Sequence, residues 1–149
     1  MIQISGGRVI DFLMNDKFAA GTGRFLTMAC DTLGISFEEI DSFAHPCFAE
    51  AIVINSMCTV FAESEIIGSL AMQKDRSKIL AGVLQSIAHR VRQMAGKFSF
   101  DKTKPLLMTG GLSHSNMLIG AIARDVDIEV ITHAHANFAG AIGACVCSR

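Results

Sequence analysis

Between residues 76 and 95 the apolar positions Leu80, Val83, Leu84, Ile87, Val91 and Met94 recur at intervals of three and four, while Gln85, His89, Arg92 and Gln93 fall largely elsewhere. That period predicts a helix with one buried stripe, and Asp75 or Ser77 is placed to cap it. Arg24 to Leu33 repeats the pattern with Phe25, Met28 and Ala29, and Gly34 stands where a C-terminal glycine cap belongs. Ser36 and the acids after it start a further helix, which must end before His45-Pro46 because proline disfavours helix in the residue before it.

Other runs have the composition of strands. Ile2 and Ile4, then residues 9–14, flank Ser5-Gly6-Gly7-Arg8 and read as a hairpin. Residues 51–54 are a short apolar run, taken as a strand that leads into a helix over about 59–73. The closing order is strand 105–109, helix 115–124, strand 128–132 and helix 137–147. A strand, helix, strand sequence implies a right-handed crossover and a parallel pair, so the class is α/β, with the hairpin expected to extend the same mixed sheet.

Composition narrows the setting. One domain is expected of 149 residues, half of them apolar, with 18% charged and a formal charge of −1. Mean hydropathy is +0.41, which excludes disorder. No basic run and only Phe among the aromatics argue against nucleic acid. No bilayer-spanning stretch and no secretory pattern at the start make the expected setting the cytoplasm, with five cysteines held as thiols.

Three segments carry candidate chemistry. Asn15 to Phe25 passes through Gly21-Thr22-Gly23 into a helix, whose free amides suit a phosphate, although an isolated Gly-x-Gly is more often a plain turn. Asn55 to Glu65 places Cys58 just before a helix, where the dipole favours a thiolate, although a lone cysteine is more often a small core residue. Thr109 to Asn116 places Gly110 and Gly111 at the carboxyl end of a strand, where α/β sheets bind ligands. His133 and His135, with His114, read as ordinary strand-end histidines rather than a metal site. Glu63 and Glu65 read as solvated or capping acids, and Arg24 as a surface arginine.

In this order, and with the ending Phe138-Ala139-Gly140-Ala141-Ile142-Gly143-Ala144, these segments resemble the ATPase activators of 2-hydroxyacyl-CoA dehydratases, grouped with the benzoyl-CoA reductase ATPase subunits. The resemblance spans essentially the whole chain. It implies an actin and hexokinase-like fold and a homodimer in which ATP drives a low-potential electron from a bridging [4Fe-4S] cluster to a dehydratase or reductase acting on an acyl-CoA. By the same resemblance Gly21, Thr22 and Gly23 lie near the phosphates of ATP/Mg, Gly110 and Gly111 near the adenosine, and Cys58 at the cluster edge.

Two departures from that family qualify the expectation. Phe18 stands where the family has a cluster cysteine, so a dimer supplies two thiolates from matching positions and a cluster takes four. Cys30 lies too far along its helix, and Cys145 and Cys147 point to different faces of theirs. Cys47 in a loop remains a possible substitute, and the expectation is that no native cluster forms. The sequence also resembles only the later lobe of the family's fold, without the earlier lobe or the strand that precedes the hairpin. Loss of that strand is expected to leave open edges and to drive rearrangement, strand exchange or self-association. Two other readings are a non-catalytic ATPase-like lobe acting as a self-associating scaffold and, ranked last, a thiol-reactive module built on Cys58.

Overall fold

A computed structural model describes residues 1–14, 21–55, 57–98 and 101–147. Strands β1 (Ile2–Ser5) and β2 (Arg8–Phe12) form an antiparallel hairpin with an irregularity at Gln3/Ile4. Helix α1 (Thr22–Leu33) ends at Gly34, whose φ of 61° lets its N–H reach back to the Asp31 carbonyl. A short 3-10 turn leads into α2 (Ile40–Ala44), and a 3-10 segment from His45 to Glu50 follows. The α-helix ends at Ala44, but the chain stays helical against the expectation of an end before His45-Pro46: His45 has φ −55° and ψ −48°, and the 3-10 segment runs on through Pro46.

Helices α3 (Thr59–Ala71) and α4 (Arg76–Ala95) come next. Asp75 caps α4, its Oδ1 accepting from the Ser77 N–H at 2.7 Å. The chain then passes through β3 (Leu106–Leu107), a 3-10 turn at Gly111–His114, α5 (Asn116–Val126), β4 (Val130–Ile131) and α6 (Ala139–Cys147). Strand β4 lies parallel to β3, the Leu106 N–H donating to the Glu129 carbonyl and the Met108 N–H to the Ile131 carbonyl.

Helix α4 is the spine. Ile79, Leu80, Val83, Leu84 and Ile87 are essentially fully buried, and α1, α2, α3 and α5 all pack on it. Leu26, Ile40, Ile66 and Leu118 complete the largest buried side chains from those four helices. Each such side chain contributes roughly 1.5 to 3 kcal/mol by leaving water.

Two expectations are corrected. The α/β class holds, but among the described residues the hairpin and the β3–β4 pair are separate two-stranded sheets rather than one mixed sheet. The reason is a groove between β1 and β3 that no described strand fills. Residues 51–54 form no strand either. They run extended across α4, where the Ile52 N–H donates to the Lys78 carbonyl, and they come so close at Gly82 that a Cβ there would lie 1.8 Å from the Ile52 carbonyl oxygen. An apolar run pressed on a helix has no neighbouring strand to pair with, although it buries Ile54 just as a strand would.

Candidate functional site

The entrance to α1 is built from glycine. Gly21 has φ 77° and ψ 49°, a left-handed conformation that side chains resist. Its carbonyl accepts from the Phe25 N–H at 2.8 Å and so starts the helix. Among the described residues no side chain caps α1, and no acid stands in its first turn. The amides of Thr22, Gly23 and Arg24 have no intrahelical acceptor, and the positive end of the helix dipole is unopposed by any described side chain. A Cβ on Gly23 would meet nothing within 4 Å among the described residues.

The segment before α3 is held by a carboxamide and a carboxylate. Asn55 Oδ1 accepts from the Met57 N–H at 2.9 Å and from the Cys58 N–H at 3.0 Å, while Glu65 Oε2 accepts from the Asn55 N–H at 2.6 Å. Cys58 is half-buried and occupies the N-cap position of α3 in extended backbone. Glu65 thereby acts as the loop's anchor, in line with the capping role expected of it, and Glu63 is exposed.

Arg90, on α4, ties this loop to α1. Its guanidinium lies 4.6 Å from the Phe25 ring centroid, and Nη2 donates to the Asn55 carbonyl at 3.5 Å. Burial lowers the pKa of the guanidinium, and Cys58 close by acts in the opposite direction. Sequence reasoning missed Arg90 although a signal existed. It falls three residues after Ile87 and seven after Val83, a charge set on the apolar stripe.

The second glycine bend differs from the first. Gly110 follows β3 with φ 93°, and its N–H donates to the Ala136 carbonyl at 2.9 Å. Ser115 caps α5, accepting from the Leu118 N–H. Its hydroxyl donates to Asp41 Oδ1 at 2.5 Å, and Asp41 also accepts from the Asn116 N–H at 2.7 Å and the Met117 N–H at 3.3 Å. An internal carboxylate thus occupies the place of an anion at α5, whereas among the described residues no side chain does so at α1. Asp41 is the second residue sequence reasoning missed, because its partners lie more than 70 positions away.

The remaining candidates divide plainly. The His133 and His135 rings are 5.5 Å apart and tilted, and the His135 N–H donates to His133 Nδ1. Both lie beyond the two-residue β4 rather than on a strand. No group of three or more His, Cys, Asp or Glu is arranged to hold a metal among the described residues. Phe18 lies outside the described residues, as does the Cys47 side chain. Cys30 is sealed in the core, where burial, with Asp31 adding to it, pushes its thiol up to about 11. Cys145 and Cys147 are exposed on α6. Cys58 is half-buried, and no described cysteine is grouped with it in a metal-holding cluster. Arg24 is exposed beside the open turn. No described helix is long and apolar enough to cross a membrane.

Comparison with known proteins gives a consistent answer. The family model described as the BadF/BadG/BcrA/BcrD ATPase family matches residues 1–148. The chain is 45% identical over 140 residues to the uncharacterized protein YjiL of Escherichia coli, covering 94% of this chain and 53% of that protein. It is 35% identical over 146 residues to the (R)-2-hydroxyglutaryl-CoA dehydratase activating ATPase of Acidaminococcus fermentans, covering 98% and 55%. The solved activator of the 2-hydroxyisocaproyl-CoA dehydratase from Clostridium difficile, with bound ADPNP, superposes with a TM-score of 0.87 at 33% identity, covering 98% of this chain and 54% of that one. The chain spans about half the length of the curated relatives it matches.

Proposed function

Because the chain belongs to the BadF/BadG/BcrA/BcrD ATPase family, we propose that it is the phosphate-holding lobe of an ATP-driven activator whose partner is an acyl-CoA dehydratase or reductase. The carrying observation is the N-terminus of α1 behind the left-handed Gly21, which no described side chain caps and whose first turn holds no acid. Phosphate oxygens seated there accept from the Thr22, Gly23 and Arg24 amides, and the helix dipole favours their charge without any counter-ion having to move. The bound ADPNP of the structural relative supports the same reading. Gly110 and Gly111 are assigned to the adenosine side, where Asp41 already satisfies the α5 amides and leaves no second phosphate site.

Magnesium accompanies the nucleotide and screens its phosphate charge. The described residues supply no acid at the α1 entrance to hold it. An iron-sulfur cluster would supply the transferable electron in this family, but the thiols here do not fit one, and no electron step is derived for this chain. Self-association is part of the proposal, with the Cys58 edge as the dimer face. A cytoplasmic setting is also proposed, supported by the free thiols at Cys30, Cys58 and Cys147. The relatives named as activators favour this reading over a scaffold without nucleotide.

Titration of the protein with ATP and with ADPNP by calorimetry tests the proposal. Gly23→Glu places a carboxylate over the three amides and is expected to weaken binding at least tenfold. Equal affinity for the parent and the variant would remove α1 from the nucleotide site.

A further inference from the structure

The second glycine bend is short and tightly bonded. The Ser113 N–H and hydroxyl both donate to the Gly110 carbonyl, at 3.1 and 2.7 Å, and the Ser115 N–H donates to the Leu112 carbonyl at 3.2 Å. Helix α5 starts directly after it. At about 2 Å of rise per residue in a 3-10 turn, the Asn116 amide lies within about 10 Å of Gly111, no further than a nucleoside is long. A Cβ on Gly110 or Gly111 would meet nothing within 4 Å among the described residues.

The carboxylate at that helix start comes from α2, 74 positions before Ser115. Both of its oxygens are engaged, Oδ1 with the Ser115 hydroxyl and the Met117 N–H, Oδ2 with the Asn116 N–H. Ser115 is 5% exposed and Asp41 half-buried, so these bonds fix the carboxylate at the helix start. Amides in that position otherwise seat an anion. Here a phosphate finds them taken and a negative charge in its place.

We propose that Asp41 is a specificity-determining residue of the nucleotide site. It admits adenosine nucleotides phosphorylated at the 5′ end alone and rejects those that also carry a phosphate on the ribose, such as the 3′-phosphorylated ADP portion of coenzyme A. The proposal rests on the reading of Gly110 and Gly111 as the adenosine side. An activator whose partner acts on acyl-CoA has to choose ATP in the presence of coenzyme A, and the two share adenosine and a 5′-diphosphate. Contacts to the shared parts do not tell them apart, so discrimination requires an element that repels the one extra group. A ribose phosphate brings the charge that Asp41 opposes, whereas an unmodified ribose hydroxyl donates to a carboxylate without conflict.

Calorimetric titration with ADP and with 3′-phosphoadenosine 5′-diphosphate, which differ by that phosphate alone, tests this. The parent is expected to bind ADP at least tenfold more tightly. Asp41→Asn keeps the shape and one acceptor but removes the charge. It is expected to bring the two affinities within about threefold by tightening the 3′-phosphorylated ligand, with ADP unchanged. Ser115→Ala controls for a merely structural role, since it takes a hydrogen bond from the same cap and lowers the thermal midpoint, yet keeps the carboxylate and is expected to keep the discrimination. Equal affinity of the parent for both ligands would overturn the proposal, as would an Asp41→Asn variant that still rejects the 3′-phosphate or a Ser115→Ala variant that admits it. Failure of the parent to bind ADP at all would overturn the function proposed above and this filter with it. Discrimination lost in Asp41→Asn, with ADP affinity unaltered in Gly23→Glu, would remove α1 from the site and leave the filter standing.

Discussion

The Arg90 guanidinium lies over the Phe25 ring at 4.6 Å, with both residues buried, and this contact couples the helix that starts at the open glycine turn to the loop that carries Cys58. A desolvated cation over an aromatic face is worth about 2 kcal/mol, and the same group bonds the Asn55 carbonyl. Arg90→Ala is therefore expected to lower stability by about 3 kcal/mol in urea unfolding. It should also free the Cys58 loop, so that Cys58 reacts faster with a thiol reagent. An unchanged Cys58 rate would show that the loop does not depend on Arg90.

Gly82 sits beneath residues 51–54. A methyl group there meets the Ile52 carbonyl oxygen at 1.8 Å, a backbone atom that cannot swing aside. Overpacking of a core costs about 1 to 3 kcal/mol, and Gly82→Ala is expected at the upper end in thermal or denaturant unfolding. A neutral result would mean that residues 51–54 lift from α4 at little cost.

Asp41 holds the first turn of α5 through one hydroxyl and two amide donors. Asp41→Ala removes that cap and leaves Ser115 to serve alone, with an expected loss of about 1 to 2 kcal/mol. Asp41→Asn keeps an acceptor and should recover part of it. Because the carboxylate fills the anion position, the alanine variant is also expected to admit phosphate or sulfate at α5, seen as stabilisation by millimolar anion that the parent lacks.

Cys30 is held neutral by burial, its thiol pushed up to about 11 against an ordinary value of 9.0. A group whose pKa rises on folding contributes stability below its unfolded value and loses it as the pH climbs to the folded one. Stability is therefore expected to fall between about pH 9 and pH 11, and Cys30→Ala should flatten that part of the profile. At pH 8 an alkylating reagent should label Cys145 and Cys147 on α6 and leave Cys30 intact until denaturant is added. Early labelling of Cys30 would contradict its place in the core.

The predicted helices were legible because each carries its own local code. Asp75, Ser115 and Gly34 mark ends, and Leu80, Val83, Leu84 and Ile87 mark a buried face. Residues 51–54 misled because a short apolar run can bury a residue such as Ile54 either in a strand or in a segment pressed on a helix, and here Val53 points to solvent at 93% exposure. Only Gly82, 30 positions after Ile52, distinguishes the two.

The site shows the same division. Gly21, Thr22 and Gly23 announced a turn into a helix, and the structure adds that no described side chain caps it. Gly110 and Gly111 announced an equivalent turn, yet Asp41 arrives from α2 to occupy the amides of the helix after it. Which end of which helix accepts an anion is a matter of what folds over it. Sequence by itself determined the main helices, the hairpin, the family and the position of Cys58 at the start of α3, because propensity, caps and motif spacing act over a few residues. The tertiary structure alone decided that Arg90 belongs between α1 and the Cys58 loop, that Asp41 closes α5, and that β1 and β3 stand apart, because each of these depends on side chains and strand edges brought together from distant parts of the chain.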